Sequence, residues 1–218
     1  KAGGSASSNS DGSTTSSVSA GSTQGFSIVS WTGSSDGSGG DTVGHGLSQK
    51  PELIIVKNRD TTDVWTVWNK DLTSEYVLYM GTSGTAAQNG SPASFGTHTN
   101  QVIGVDTDFA TNKNGSKMIA YCFHSVDGYC KVGSLVGNNS ADGPFVFCGF
   151  RPRLVMLKKI TGTAYDYNVH DTARDTANVD ATSLYWNSSA AENGIGNASD
   201  WQIDILSNGF KIRENTNY

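Results

Sequence analysis

Two closely spaced aspartates, Asp106 and Asp108, are the residues of this chain that most resemble a cation site. An Asp-x-Asp pair in a polar loop can bind Ca²⁺, because this ion takes its ligands from carboxylate and carbonyl oxygens. The full ligand pattern of a calcium-binding loop is absent, and aspartates in such loops commonly cap turns through their own side chains. The sequence therefore offers this pair either as ligands of a structural calcium or as turn caps, and it indicates no other cofactor.

The remaining acid–base residues do not form a catalytic constellation. The four histidines lie far apart and match none of the spacings typical of zinc sites. Glycoside hydrolysis needs two carboxylates that flank a cleft. The pairs Asp166 with Asp171 and Asp200 with Asp204 are candidates, but nothing distinguishes them from other acids. We therefore predict no catalytic residues and a protein that is not an enzyme.

Aromatic side chains are the stronger candidates for binding. Tryptophan rings stack on the apolar faces of sugars, while neighbouring Asn, Asp and Ser side chains supply contacts to the hydroxyls. Trp65 and Trp68 are three positions apart and face opposite sides of a strand, so only one of them can lie in a core. The sequence marks Trp65 or Trp68, with Trp186 as the counterpart further along the chain, as candidate glycan-binding residues. The alternative is that many of these rings fill the core.

Composition narrows the class of protein and its partners. The formal net charge of −5 and a pI near 5.2 disfavour binding to nucleic acid or to an anionic membrane. No apolar run reaches the length of a membrane helix. The 26 glycines and only 16% charged residues are typical of a β protein with many turns.

Two local pairings can be examined from the sequence. The chain has three cysteines, Cys122, Cys130 and Cys148, and an odd number cannot all pair. The alternatives are a disulfide between Cys122 and Cys130 or buried free thiols. Free thiols suit assembly in a reducing cytoplasm. Arg174 follows a polar strand end, and we predict that it bridges to Asp171 or Asp175 and holds the loop.

The elements that position these residues occur nearly twice in the chain. The offset is about 103 residues, which is the size of a domain and exceeds the repeat of a solenoid. The corresponding segments are Gly25–Val29 with Gly128–Val132, Pro51–Lys57 with Pro152–Lys158, Trp65–Asn69 with Tyr167–Asp171, and Ala86–Gly90 with Ala190–Gly194.

Short apolar runs between glycine-rich turns predict strands throughout. The predicted strands are 26–32, 53–56, 64–68, 76–80, 101–105 and 117–123 in the first copy, and 129–136, 144–148, 153–158, 165–170, 183–186, 201–205 and 209–213 in the second. A helical turn is expected near Ala86. We predict an all-β chain of two tandem antiparallel β-sandwich units of jelly-roll type. The units are residues 25–127 and 128–218, after a Gly/Ser-rich linker over residues 1–24.

The second copy stops before its counterpart of strand 117–123. The second sandwich is therefore predicted to lack its last strand and to have an open edge that needs covering. Two explanations stay open: the molecule continues past Tyr218, or a partner supplies the strand.

A family resemblance is carried by six stretches of the chain: Gly25–Gly33, Val43–Leu47, Pro51–Arg59, Ala120–Phe123, Ser140–Pro152 and Asp171–Arg174. This pattern resembles tandem-repeat β proteins of tailed phages of aquatic bacteria, which are described as tail-fibre-like or virion structural proteins. The resemblance covers nearly everything from Gly25 to Arg213 and provides no catalytic motif.

What the resemblance implies is a non-enzymatic virion protein, a segment of a tail fibre or similar appendage. It would assemble in the host cytoplasm and stand on the particle exterior, with copies of itself and other virion proteins as partners and a host-surface glycan as ligand. Two alternatives stay open, namely a capsid or surface decoration protein without a receptor role, and a lectin-like module of a carbohydrate-active enzyme.

Overall fold

The computed structural model describes residues 3–72, 76–88, 93–163, 165–192 and 202–214. Within these ranges the chain is almost entirely antiparallel β-structure, with one single-turn α-helix, α1 (Phe109–Asn112), and one 3-10 turn (Ser22–Gln24). The predicted all-β, sandwich-like class is confirmed. Among the described residues no helix is long and apolar enough to cross a bilayer.

The first compact unit comprises Lys1–Tyr79 and Ala86–Gly133. Its strands are β1 (Ser7–Asn9), β2 (Ser16–Gly21), β3 (Phe26–Thr32), β4 (Asp41–Gly44), β5 (Leu53–Asn58), β6 (Thr66–Asn69), β7 (Tyr76–Tyr79), β8 (Ala87–Gln88), β9 (Val102–Val105) and β10 (Lys117–Phe123). Eight of them form one sheet in the order β1-β2-β3-β10-β5-β6-β7-β8, and β4 pairs with β9 in a second sheet.

The core of the first unit lies on one face of the eight-stranded sheet. Strand β3 alternates, so that Val29 and Trp31 are buried while the residues between them are more exposed. Strand β5 is buried on both faces over Ile54, Ile55 and Val56, as its continuous apolar run predicts. Val43 of β4 and Ile103 and Val105 of β9 complete the same core cluster, and this arrangement gives two layers.

The second compact unit comprises Met80–Thr85 and Ser134–Tyr218. Its strands are β11 (Phe145–Phe147), β12 (Leu154–Leu157), β13 (Asn168–Asp171), β14 (Leu184–Tyr185), β15 (Ile203–Leu206) and β16 (Gly209–Ile212). They form two three-stranded sheets, β12-β13-β14 and β11-β16-β15. A smaller core cluster contains Val155, Ile203, Ile205, Phe210 and Ile212.

The two units share strand register as well as sequence pattern. Ile54 lies opposite Trp68 between β5 and β6, and Val155 lies opposite His170 between β12 and β13. The backbone turns in the same way after β6 and after β13. Asp71 N–H donates to Asn69 Oδ1 at 2.9 Å, and Ala173 N–H donates to Asp171 Oδ1 at 2.9 Å. The internal duplication is therefore a duplication of sheet geometry.

The units differ at one edge. Strand β5 pairs with β6 on one side and with β10 on the other. Its counterpart β12 pairs with β13 on one side, and within the described part of the chain it has no ladder on the other. Among the described residues, the same edge of the sheet is thus paired in the first unit and unpaired in the second.

The structure corrects three sequence predictions. Residues 1–24 were expected to be a linker, yet β1 and β2 lie within them and β2 pairs with β3. This sequence lacks large apolar side chains, but its small residues allow backbone pairing. Val18 anchors β2 in the core, and Ala20 packs against the same cluster. Residues 129–136, expected to form a strand, make only the isolated bridge between Val126 and Cys130. The segment near Ala86 forms β8 in place of a helical turn.

Candidate functional site

The face of the eight-stranded sheet that points away from the core is the candidate site. Side chains alternate along a strand, so the residues between the buried ones of β3, β5 and β10 share this opposite side. The ladders set Phe26 beside Phe123 and Ile28 beside Tyr121. We call this side the outer face, defined by Phe26, Ile28, Ser30, Thr32, Leu53, Ile55, Lys117, Ile119, Tyr121 and Phe123.

Four aromatic rings form a continuous row at one end of the outer face. The Trp65 ring, just before β6, lies 6.3 Å from the Tyr121 ring with an interplanar angle of 24°. Tyr121 is parallel to Phe26 within 2° at 6.4 Å, and Phe26 stacks on Phe123 at 4.6 Å. We call these four residues the ring row. Trp65 is 36% exposed, and the other three are half-buried, so each ring is held by packing and still reaches the surface.

A shallow polar groove of about 450 Å³ lies at the other end of the outer face. Its lining includes Ser17, Ser30, Thr32, Arg59 and Lys117. Thr32 faces Lys117 across the β3–β10 ladder, and Ser17 faces Ser30 across the β2–β3 ladder. The hydroxyls offer donors and acceptors, and the two exposed cations carry positive charge. A strand rises about 3.3 Å per residue, so Thr32 in this groove lies roughly 20 Å along β3 from Phe26 at the far end of the ring row.

The predicted tryptophans have three different environments. Trp65 belongs to the ring row. Trp68 is only 7% exposed and packs edge-on against His98 with centroids 4.3 Å apart. The interpretation of Trp68 as a sugar-stacking ring is therefore wrong, because its ring lies in the core. This agrees with the expectation that Trp65 and Trp68 face opposite sides of a strand. Trp186 follows β14 in the second unit and is 58% exposed.

The predicted calcium ligands are occupied by local hydrogen bonds. Asp108 caps α1: its Oδ1 accepts from the Ala110 N–H at 3.0 Å, and its Oδ2 accepts from the Ser94 hydroxyl. Asp106 Oδ1 accepts from the adjacent Thr107 N–H at 2.8 Å. In the described part of the chain no group of three or more His, Cys, Asp or Glu residues is placed to hold a metal. The geometry of Asp106 and Asp108 is that of turn caps.

The four histidines are all buried: His45, His98, His124 and His170. Burial, with help from Lys50 and His45, lowers the pKa of His98 from 6.5 to about 3, and burial also lowers the pKa of His45. His98 Nδ1 accepts from the Gly104 N–H at 3.1 Å, and this bond ties the ring to β9. These four enclosed imidazoles serve packing and do not reach a ligand at the surface.

The other chemical candidates are also used structurally. Arg174 donates to Asp171 at 2.6 Å, as predicted, and also to Glu192 at 2.6 Å. Asp166 accepts from the Asn187 amide at 2.6 Å, and Asp204 pairs with the guanidinium of Arg213 at 3.1 Å. Asp200 and residue 201 lie outside the described residues.

The cysteines do not form the disulfide that the sequence left open: none of the three is in a disulfide, and Cys122 is fully buried while the other two are half-buried. Burial raises the pKa of Cys122 to about 12. This thiol is therefore a core side chain.

Sequence reasoning missed three members of the ring row, Phe26, Tyr121 and Phe123. A signal was available: the aromatics of β10 stand two positions apart, at 121 and 123, and so share a face. What the sequence did not show is that β3, distant along the chain, pairs with β10 and sets Phe26 against them.

Comparison with known proteins provides a family without an activity. A family model described as a domain of unknown function (DUF7483) matches residues 1–218. No curated protein and no solved structure matches the chain.

Proposed function

The chain belongs to the DUF7483 domain family, and we propose that it is a non-enzymatic structural protein of a phage particle that binds a glycan of the host surface. The outer face of the first unit is the proposed binding surface. The description of the family names no activity. The proposal therefore rests on the sequence resemblance to tail-fibre-like proteins and on the geometry of this face.

The ring row is the observation that carries the proposal. Trp65, Tyr121, Phe26 and Phe123 follow one another at centroid distances of 4.6 to 6.4 Å. Aromatic rings bind the apolar faces of sugars, and rings that are already packed in place lose little conformational entropy when a ligand arrives. A row of such rings suits an extended chain of sugars better than a single compact molecule.

The polar groove supports the same function. Ser17, Ser30 and Thr32 supply hydroxyl groups, and Arg59 and Lys117 supply charged donors. Hydroxyls and charged donors bind the hydroxyl and acidic groups of a glycan, while the ring row supplies the apolar contacts. The two ends of the outer face are therefore chemically complementary parts of one surface.

Trp65→Ala is the variant that tests the proposal. Binding to polysaccharide extracted from the host surface is measured by calorimetry, with Phe109→Ala as the matched control. Phe109 is 63% exposed on α1 of the same unit and is outside the ring row. We expect at least a tenfold weaker affinity for Trp65→Ala and an unchanged affinity for Phe109→Ala. Equal affinities for the two variants, with wild-type circular dichroism, would contradict the proposed surface.

A second candidate function is decoration of a capsid or particle surface without a receptor role. The open edge of β12 favours it, because a free strand edge is a natural contact for a neighbouring protein. Immunogold electron microscopy of particles from the source culture separates the two. Label on fibres or the tail tip supports attachment, and label spread evenly over a shell supports decoration.

A lectin-like module of a carbohydrate-active enzyme would use the same outer face for binding. Release of monosaccharides from the host polysaccharide distinguishes this case. We expect none from the chain itself, because its candidate carboxylates Asp166, Asp171 and Asp204 are held in hydrogen bonds and ion pairs.

A further inference from the structure

The open edge of β12 in the second unit has a defined counterpart in the first. The register between β12 and β13 repeats that between β5 and β6 residue for residue. Leu154 corresponds to Leu53, and Met156 corresponds to Ile55. What covers the edge of β5 therefore indicates what fits the edge of β12.

Strand β10 covers that edge in the first unit. It runs antiparallel to β5, with Phe123 opposite Leu53 and Tyr121 opposite Ile55. Cys122, between them, and Ala120, just before Tyr121, are small and lie in the core. The covering strand thus alternates aromatic side chains on one face with small side chains on the other.

The exposed side chains of the second unit fit the absence of such a strand. Leu154 is 57% exposed, whereas Leu53 beside Phe123 is half-buried. Met156 is likewise half-buried, whereas Ile55 beside Tyr121 is only 8% exposed. An apolar edge strand with free backbone donors and acceptors is a template for strand addition.

We propose that the edge of β12, to which no described strand pairs, is an acceptor site for one antiparallel strand with the alternation of β10, supplied by a partner protein. In the register of the first unit, its aromatic residues lie opposite Leu154 and Met156, and its small residues lie opposite Val155 and Leu157. The β10 strand of a second copy is not the occupant, because both of its edges are already paired, with β3 and with β5. The inference does not depend on glycan binding.

A labelled peptide with the sequence of residues 117–123, its cysteine replaced by alanine, is the probe. Fluorescence anisotropy measures its binding to the full chain, and a scrambled peptide of the same composition is the first control. We expect saturable binding of the ordered sequence alone. Hydrogen exchange is expected to slow at the backbone amides of residues 154–157 when the peptide is bound.

Two matched variants locate the site. Leu154→Lys places a charge on the acceptor edge, and Leu184→Lys places the same charge on β14, at the opposite edge of the same sheet. Both side chains are exposed, at 57% and 41%, so neither change disturbs the core. We expect at least a tenfold loss of peptide affinity for Leu154→Lys and none for Leu184→Lys. Absence of saturable binding, binding that survives Leu154→Lys, or binding lost in Leu184→Lys would each overturn the proposal.

Discussion

The ring nitrogen Nδ1 of His170 lies 3.2 Å from Oδ1 of Asp180, and the two side chains are 0% and 1% exposed. Asp180 Oδ1 also accepts from the Thr182 N–H at 3.1 Å. One carboxylate oxygen thus serves two donors on separate segments inside the second unit. A buried polar group that loses its partner is costly, which makes this pair a sensitive point for stability.

Replacing Asp180 by Ala is therefore expected to destabilise the chain by about 3 kcal/mol, since the buried His170 ring and the Thr182 N–H both lose their acceptor. Asp180→Asn keeps an oxygen at Oδ1, and we expect a clearly smaller loss. Urea denaturation of the two variants measures the difference. Equal losses would show that the acceptor oxygen is not what matters at this position.

Acid should weaken the first unit through His98. Its pKa is lowered from 6.5 to about 3 in the folded chain, so between these values the unfolded chain binds the extra proton. Folding stability therefore falls as the pH drops from 6.5 toward 3, by up to about 1.4 kcal/mol per pH unit from this group. His98→Asn keeps an acceptor for the Gly104 N–H and removes the titration. Its denaturation midpoint is expected to depend less steeply on pH, and an identical slope would contradict the assignment.

Tyr121 should matter to glycan binding through its ring alone. It is the link in the ring row that contacts both Trp65 and Phe26. We expect Tyr121→Phe to bind host polysaccharide like the wild type, and Tyr121→Ala to bind roughly tenfold more weakly, about 1.4 kcal/mol. Calorimetry on both variants checks this. A loss in Tyr121→Phe would instead assign the interaction to the hydroxyl group.

Arg174 should stabilise the loop after β13 through its planar donor group. It donates to Asp171, to Glu192 and to the carbonyl of Val169. Lysine cannot reproduce this fork, so Arg174→Lys is expected to lose about 1 kcal/mol of stability. Glu192→Gln removes only the more exposed partner and should lose less. Thermal unfolding compares them, and an equal effect of the two changes would argue against the fork.

The thiols should react in a fixed order. Burial raises the pKa of Cys122 to about 12, so the thiolate that alkylating reagents need is scarce there at pH 8. Cys130 and Cys148 are half-buried. We expect iodoacetamide to label these two in the native chain and Cys122 only on unfolding, as followed by mass spectrometry. Early labelling of Cys122 would place it outside the core.

Much of the fold follows from local patterns. The alternation of β3 and β10 and the continuous apolar run of β5 predict these strands because they lie in one well-packed sheet. The strands β1 and β2 were missed because their serines, alanines and glycines carry almost no hydrophobic signal. Pairing with β3 through the backbone makes them strands, and no local pattern records that.

The predicted strand over residues 129–136 failed for a related reason. Its counterpart in the first unit, β3, is held between β2 and β10. A strand exists only when its backbone has a partner, and the described residues provide none for this segment beyond one bridge. The candidate site shows the same limit: Trp65 was identified from its residue type, but the ring row depends on long-range pairing.

The register shared by the two units has a further consequence for folding. Trp68 and His170 occupy the same position of the same three-stranded arrangement, but the first packs on His98 and the second donates to Asp180. Repeats whose hairpins share one register are prone to exchanging strands and misassembling as they fold. If the β5–β6 hairpin entered the second unit, the Trp68 ring would take the place of His170 and the carboxylate of Asp180 would lose that donor. The different residues at this buried position therefore favour the pairing of each hairpin within its own unit.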